Sequence, residues 1–213
     1  MIALLGGLAV AGCATSQPPP SWDGLELRPA KGIDAVYLKP GADFARYRTV
    51  LIEPVQVAFK DTWNPNQGER GASRNLSISD VQQLRENMAS AFRKTFADEL
   101  ARGGYTTTDR PDDDTLRVTA ALANVYIAAP ARDSFGPSRT YTVESGEMTL
   151  VLELRDSVSG ELLGRVVDRK TGIETGRLQM TTSTTNRADF DRAVSSWARR
   201  LRAGLDAVHV KAP

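Results

Sequence analysis

Apolar residues recur along the chain at two periods, and the places where the period changes divide it into elements. Between Arg48 and Val57 the β-branched run Thr49-Val50-Leu51-Ile52 predicts a strand. Pro54 sets its upper end away from a sheet centre, because proline has no N–H to give to a neighbour. Val81, Leu84, Met88, Ala91, Phe92, Thr95, Phe96 and Leu100 then fall at spacings of three and four, the stripe of an amphipathic helix. Ser79 is its expected N-cap and Gly103-Gly104 its stop. Leu116 to Ile127 reads as a strand. So does Tyr141 to Arg155, in which Met148, Leu150, Leu152 and Leu154 alternate with Glu147, Thr149, Val151 and Glu153. That alternation predicts one buried and one wet face. Asp156 to Gly160 is a hairpin turn and Leu162 to Arg169 the returning strand. A last helix is expected from about Arg187 to Val208, with Phe190, Ala193, Val194, Trp197, Leu201, Leu205 and Val208 on one side.

These elements predict an α+β, two-layer sandwich. Its sheet is mixed, mostly antiparallel and four-stranded, in the order β-α-β-β-β-α, with both amphipathic helices on one face. The crossover through the first helix makes the first two strands parallel. Residues 31–46 read as irregular because of Gly32, Pro40 and Gly41. Two long polar segments, Phe59–Ser77 and Ala128–Arg139, read as loops, and loops of that length are often functional.

The first thirteen residues, MIALLGGLAVAGC, belong to no element of that domain. The apolar run is too short to cross a bilayer but has the length of a signal-peptide core. Val10-Ala11-Gly12-Cys13 resembles the bacterial lipobox. The resemblance implies that Cys13 receives a diacylglycerol, that the chain is cut between Gly12 and Cys13, and that the new amino terminus is acylated. No Lys or Arg precedes Cys13, so the positive region of the signal is expected further upstream. The expected division is a signal remnant over 1–12, a lipid-anchored Pro-rich tether over 13–30, and one periplasmic domain over 31–213. Pro18-Pro19-Pro20 favours polyproline II, while Trp22 and Leu25 are expected to dock onto the domain. Ala14, where Asp would favour retention in the inner membrane, points to the outer membrane of a Gram-negative cell, facing the periplasm.

Charge narrows the function classes. Lys plus Arg number 27 against 26 Asp plus Glu, so the concentrated basic surface expected of a nucleic-acid binder has no basis in composition. One Cys and one His leave no internal disulfide and too few ligands for a structural zinc site. No cofactor or metal is expected. His209 sits at the end of the last helix, away from any nucleophile, and Asp112-Asp113-Asp114 lacks the spacing of a calcium loop.

Carboxylate pairs remain as candidate chemistry, since a glycosidase needs only two acids. Glu53 ends the first strand. Glu147, Glu153 and Asp156 lie on or after the long strand, where period two places them on the solvated face. The last helix carries Arg187, Arg192, Arg199, Arg200 and Arg202. Arg199 beside Arg200 reads as part of a solvated face or as a patch for anionic headgroups or an acidic partner.

Four blocks carry a wider resemblance: Tyr47 to Val55, Gly104-Tyr105, Asp114 to Leu122, and Glu153 to Leu163, with Trp197 in the last helix. Over about residues 30–208 the chain resembles the bacterial lipoprotein family known as domain of unknown function 3313. That resemblance implies lipoprotein status and a shared fold, with no activity and no catalytic residues to carry over. The leading expectation is a membrane-anchored, non-enzymatic lipoprotein whose domain binds or supports an envelope protein or peptidoglycan. One alternative is a cell-wall glycan hydrolase using Glu53 with Glu147 or Glu153. Another is a small-ligand carrier using the space between sheet and helices.

Overall fold

The computed structural model describes residues 17–64, 77–127, 147–171 and 183–210. Gly12 and Cys13, the segment Ala128–Arg139 and most of Phe59–Ser77 lie outside the described residues. Nine strands and two helices are present among them: β1 (Ser21–Trp22), β2 (Leu25–Arg28), β3 (Ala35–Leu38), β4 (Thr49–Ile52), β5 (Gln56–Phe59), α1 (Ile78–Arg102), β6 (Thr106–Thr108), β7 (Thr115–Tyr126), β8 (Glu147–Asp156), β9 (Leu162–Thr171) and α2 (Ser183–Val210). No helix of the described residues is long and apolar enough to cross a membrane.

The α+β class holds, but the four-stranded sheet is replaced by a nine-stranded mixed one. Its order is β1-β2-β3-β9-β8-β7-β4-β6, with β5 also paired to β7. The centre matches expectation: β7, β8 and β9 form an antiparallel meander, and β4 runs parallel to β7. The additional strands have local causes. Pro54 splits the expected strand Arg48–Val57 into β4 and β5, both parallel to β7. Ile52 pairs with Val118 and Gln56 with Ala121, so four steps on one strand oppose three on the other. The surplus residue is a bulge at the point where proline cannot donate.

At the far edge, Asp23 and Gly24 adopt φ of 53° and 77° between the paired residues Trp22 and Leu25. This is a two-residue hairpin of the Asp-Gly type. The chain from Ser21 onward is therefore sheet, within the stretch expected as tether. Ala35–Leu38, expected as irregular, is β3 and pairs with β9.

Both helices cover one face. Leu116, Val118 and Leu122 of β7 and Leu150, Leu152 and Leu154 of β8 meet Met88, Phe92, Phe96 and Leu100 of α1 and Val194, Trp197, Ala198 and Leu205 of α2. Burial of this surface is the main stabilising term. The start of α1 is fixed by a capping box at Ser77, two residues before the expected cap. The Ser77 hydroxyl accepts from the Asp80 amide, and the Asp80 carboxylate accepts from the Ser77 amide. This arrangement satisfies two of the otherwise orphaned donors of the first turn.

Candidate functional site

The face of the sheet turned away from the helices carries the carboxylates singled out in the sequence. Glu53, just past β4, lies 3.6 Å from Arg117 Nε. Glu153 of β8 pairs with Arg155 at 2.8 Å and with Arg165 of β9 at 2.7 Å. Glu147 pairs with Lys60 at 3.4 Å and with Arg169 at 3.1 Å. The three share a face without forming a site. The backbones at Glu53 and Glu153 are two strands apart, about 10 Å, and Glu147 is six residues along β8 from Glu153, about 20 Å. Burial works to raise the Glu153 carboxyl, but hydrogen bonds and charge from Arg165 and Arg155 outweigh it and hold the group below its ordinary value. A general acid in a glycosidase needs the opposite shift. Neither of the two main clefts among the described residues is lined by Glu53, Glu147 or Glu153.

Arg165 organises the edge of this face. Its side chain is 9% exposed. Nη1 donates to Asp23 at 2.7 Å, Nε and Nη2 donate to Glu153, and the indole of Trp22 lies over the guanidinium at 4.2 Å. Trp22 also meets Tyr37 edge to face, with ring centroids 5.8 Å apart. Leu25, Ala35 and Tyr37 form a second small core beneath. Trp22 and Leu25 thus dock as expected, and the buried cation that receives them lies 142 residues further on.

The larger cleft, about 420 Å³, opens at the pole of the β8–β9 turn. Lys39, Asp43, Arg46, Tyr47, Asp156 and Glu161 supply much of its wall. Asp156 is its fixed point, and here the expectation of a solvated residue is corrected. It continues the even-numbered series of Met148, Leu150, Leu152 and Leu154, so it falls on the core side and is buried. Its Oδ1 accepts from the amides of Val158 and Ser159 and from the Ser159 hydroxyl, closing the turn. Its Oδ2 accepts from the Tyr47 hydroxyl at 2.9 Å. The Ser159 amide bond, acting against burial and helped by Tyr47, holds the carboxyl down at about 2. Burial, then the Asp156 hydrogen bond and charge, push the Tyr47 phenol up to about 12. Arg46 stacks on the Tyr47 ring at 5.3 Å and donates to the Asp113 carbonyl at 2.8 Å. Lys39 is ion-paired with Glu161 across the cleft mouth. The wall therefore presents both charge signs on a rigid base, suited to recognising a polar surface. Among the described residues no group of three His, Cys, Asp or Glu could hold a metal ion.

Two further residues complete the survey. Arg199 is exposed on α2 and belongs to neither cleft. Asp168, unremarked in the sequence, is 1% exposed and accepts from the Trp197 indole N–H at 2.6 Å and from the Asp34 amide at 3.0 Å. With Phe92, Phe96 and Trp197 filling the interior, the space between sheet and helices is occupied by side chains.

The family model described as "Protein of unknown function (DUF3313)" matches residues 21–201. No curated protein matches the chain. Among solved structures the chain is similar to the PelC dodecamer from Paraburkholderia phytofirmans, at 13% identity and a TM-score of 0.41, covering 80% of this chain and 96% of that one. It is similar to a minor lipoprotein from Acinetobacter baumannii, at 11% identity and a TM-score of 0.32, covering 74% and 94%. A DUF4136 family protein from Bacteroides thetaiotaomicron is similar at 12% identity and a TM-score of 0.34, covering 83% and 98%. None of these likenesses specifies a role.

Proposed function

The chain belongs to the DUF3313 family of proteins of unknown function, and from that premise we propose that it is a lipoprotein of the outer membrane whose periplasmic α+β domain binds another envelope component. The observation that carries this reading is Val10-Ala11-Gly12-Cys13, a lipobox placed eight residues before the first strand of the domain. Acylation at Cys13 by two or three chains gives stable membrane attachment, where one chain would be marginal. The polar cleft beside Asp156 is the surface assigned to the partner, an envelope protein or peptidoglycan. Its charges are held in place by Asp156 and Tyr47, so binding costs little ordering.

Catalysis forms no part of the proposal. Glu53, Glu147 and Glu153 are each engaged by arginine or lysine outside either cleft.

Mass spectrometry of protein purified from its own envelope tests the anchor, with acyl chains expected on a mature terminus at Cys13. Cys13→Ala should leave the membrane fraction. A photo-crosslinking residue placed at Asp43, in the cleft, should join the protein to a defined envelope species in cells, while the same residue at Gln82 on α1 should not. An unmodified leader refutes the anchor, and equal crosslinking from both positions refutes the cleft.

A further inference from the structure

The tether leaves the domain at a defined end of the sheet. The Leu27 amide donates to the Pro20 carbonyl at 2.9 Å, so the chain before β1 continues beside β2 toward Arg28. Arg28 is in register with Val36, and Ala35 with Val167. The exit therefore lies where β3 begins and β9 ends. The β8–β9 turn and the polar cleft are at the opposite end.

Cations collect at the exit. Lys31 occupies the turn between β2 and β3, and Arg169 and Lys170 close β9. Arg200 Nη1 donates to the Lys31 carbonyl, which ties α2 to this turn and brings Arg199 beside it. Some of these charges are answered: Arg28 by Glu26, Arg169 by Glu147 and Lys170 by Asp168. Asp34, the other carboxylate of this end, accepts from the Arg169 amide. Lys31, Arg199 and Arg200 make no ion pair among the described residues. A chain of net charge +1 has no general surplus that would place three unanswered cations together.

The geometry points to this end as the membrane-facing pole, with Lys31, Arg199 and Arg200 binding the anionic phospholipid headgroups of the leaflet that holds the anchor. The inference rests on the lipid-anchored reading above. Chain length decides the orientation. Eight steps from Cys13 to Ser21 span about 25 Å as polyproline II and at most about 29 Å extended. To bring the cleft pole to the bilayer instead, the tether would have to run back along β9, whose ten residues measure about 33 Å. The exit pole reaches the surface with no such demand. Headgroup attraction then acts within about a Debye length of 8 Å, which that pole can enter.

The test uses the full acylated protein in vesicles. With Cys13 blocked by lipid, Ala203→Cys on α2 or Val158→Cys at the β8–β9 turn supplies one thiol for a fluorescent donor; both positions are exposed. The acceptor is a headgroup-labelled lipid. Energy transfer from position 203 should exceed that from 158. It should rise when phosphatidylglycerol is added to phosphatidylcholine and fall back to the neutral-vesicle level in high salt. Lys31→Glu with Arg199→Glu should abolish the rise; this pair leaves the Arg200 bond to the Lys31 carbonyl in place, and Lys31→Gln with Arg199→Gln is the milder control. Equal transfer from both positions, or a response indifferent to phosphatidylglycerol, overturns the inference. Protein that fails to float with either vesicle type fails the anchor reading instead, so the two failures are distinct.

Discussion

The Tyr47 hydroxyl donates to Asp156 Oδ2 at 2.9 Å across 109 residues of sequence, joining the segment that enters β4 to the turn that connects β8 and β9. The bond makes the carboxyl a stronger acid and the phenol a weaker one, and both consequences are measurable.

Asp156 titrates at about 2 in the folded chain against an ordinary 3.8. A depressed value stabilises the fold above the unfolded pKa, and the contribution is lost as pH falls through the folded one. The loss should therefore run from about pH 4 down to about 2. A shift of this size corresponds to about 2 kcal/mol. Asp156→Asn should lower the stability measured by urea unfolding at neutral pH by about that amount, and should flatten the acid limb in this window. An unaltered acid limb in the variant would show that Asp156 is not the group responsible.

Tyr47 and Tyr105 give the alkaline counterpart. Burial, then hydrogen bonds to Asp156 and Asp206 respectively, push each phenol up to about 12. For an acid whose folded value is raised, the stabilisation is complete below the unfolded value near 10 and is lost as pH climbs through 12. Absorbance of tyrosinate should show two late phenols. Tyr47→Phe and Tyr105→Phe should each remove one of them, and a titration complete by about pH 11 would contradict both assignments.

Much of this arrangement is legible in the sequence where neighbours in space are neighbours in the chain. The spacing of Met88, Phe92, Phe96 and Leu100 identifies the buried stripe of α1, because a helix repeats locally. The alternation of β8 identifies its two faces for the same reason. Carried two residues further, the same parity places Asp156 indoors; its charge makes it look solvated. The Asp23-Gly24 pair also signals a hairpin, though the flanking strands are too short to show a period. Trp22 over Arg165 has no local signature. An arginine on a strand reads as a wet residue until the aromatic and acidic partners from the other end of the chain are known. Short edge strands such as β6 owe their conformation to the neighbour they pair with, which explains why the sheet is wider than the sequence suggests.

That arginine gives a prediction about the amino-terminal strap. Trp22 contributes a cation–π contact, about 1 kcal/mol for a partly exposed pair, and covers Tyr37. Trp22→Ala should lower the hydrogen-exchange protection of the Leu27 amide, which is held by the Pro20 carbonyl, while leaving the amides of β7 and β8 protected. Arg165→Gln strips charge-assisted bonds from Glu153 and Asp23 and should cost about 2 kcal/mol of global stability. If Trp22→Ala opened β7 as readily as β2, the strap would be an integral part of the core and not a docked edge.

Asp168 poses the sharpest test of the helix layer. Its side chain is 1% exposed, and one oxygen holds the Trp197 indole at 2.6 Å and Lys170 Nζ at 2.7 Å while the other accepts the Asp34 amide at 3.0 Å. A buried carboxylate is tolerable only because these partners surround it. Asp168→Ala removes the acceptor and leaves a buried indole N–H, a buried amide and an ammonium unanswered. Losing several partners at once should cost about 3 kcal/mol. Trp197→Phe removes one donor but keeps most of the apolar volume and should cost about 1 kcal/mol. In the double variant Asp168→Ala with Trp197→Phe, the total should fall short of the sum, because the indole no longer lacks a partner. Additive losses in that cycle would mean that the indole bond contributes nothing to holding α2 on the sheet, and that the apolar stripe alone does so.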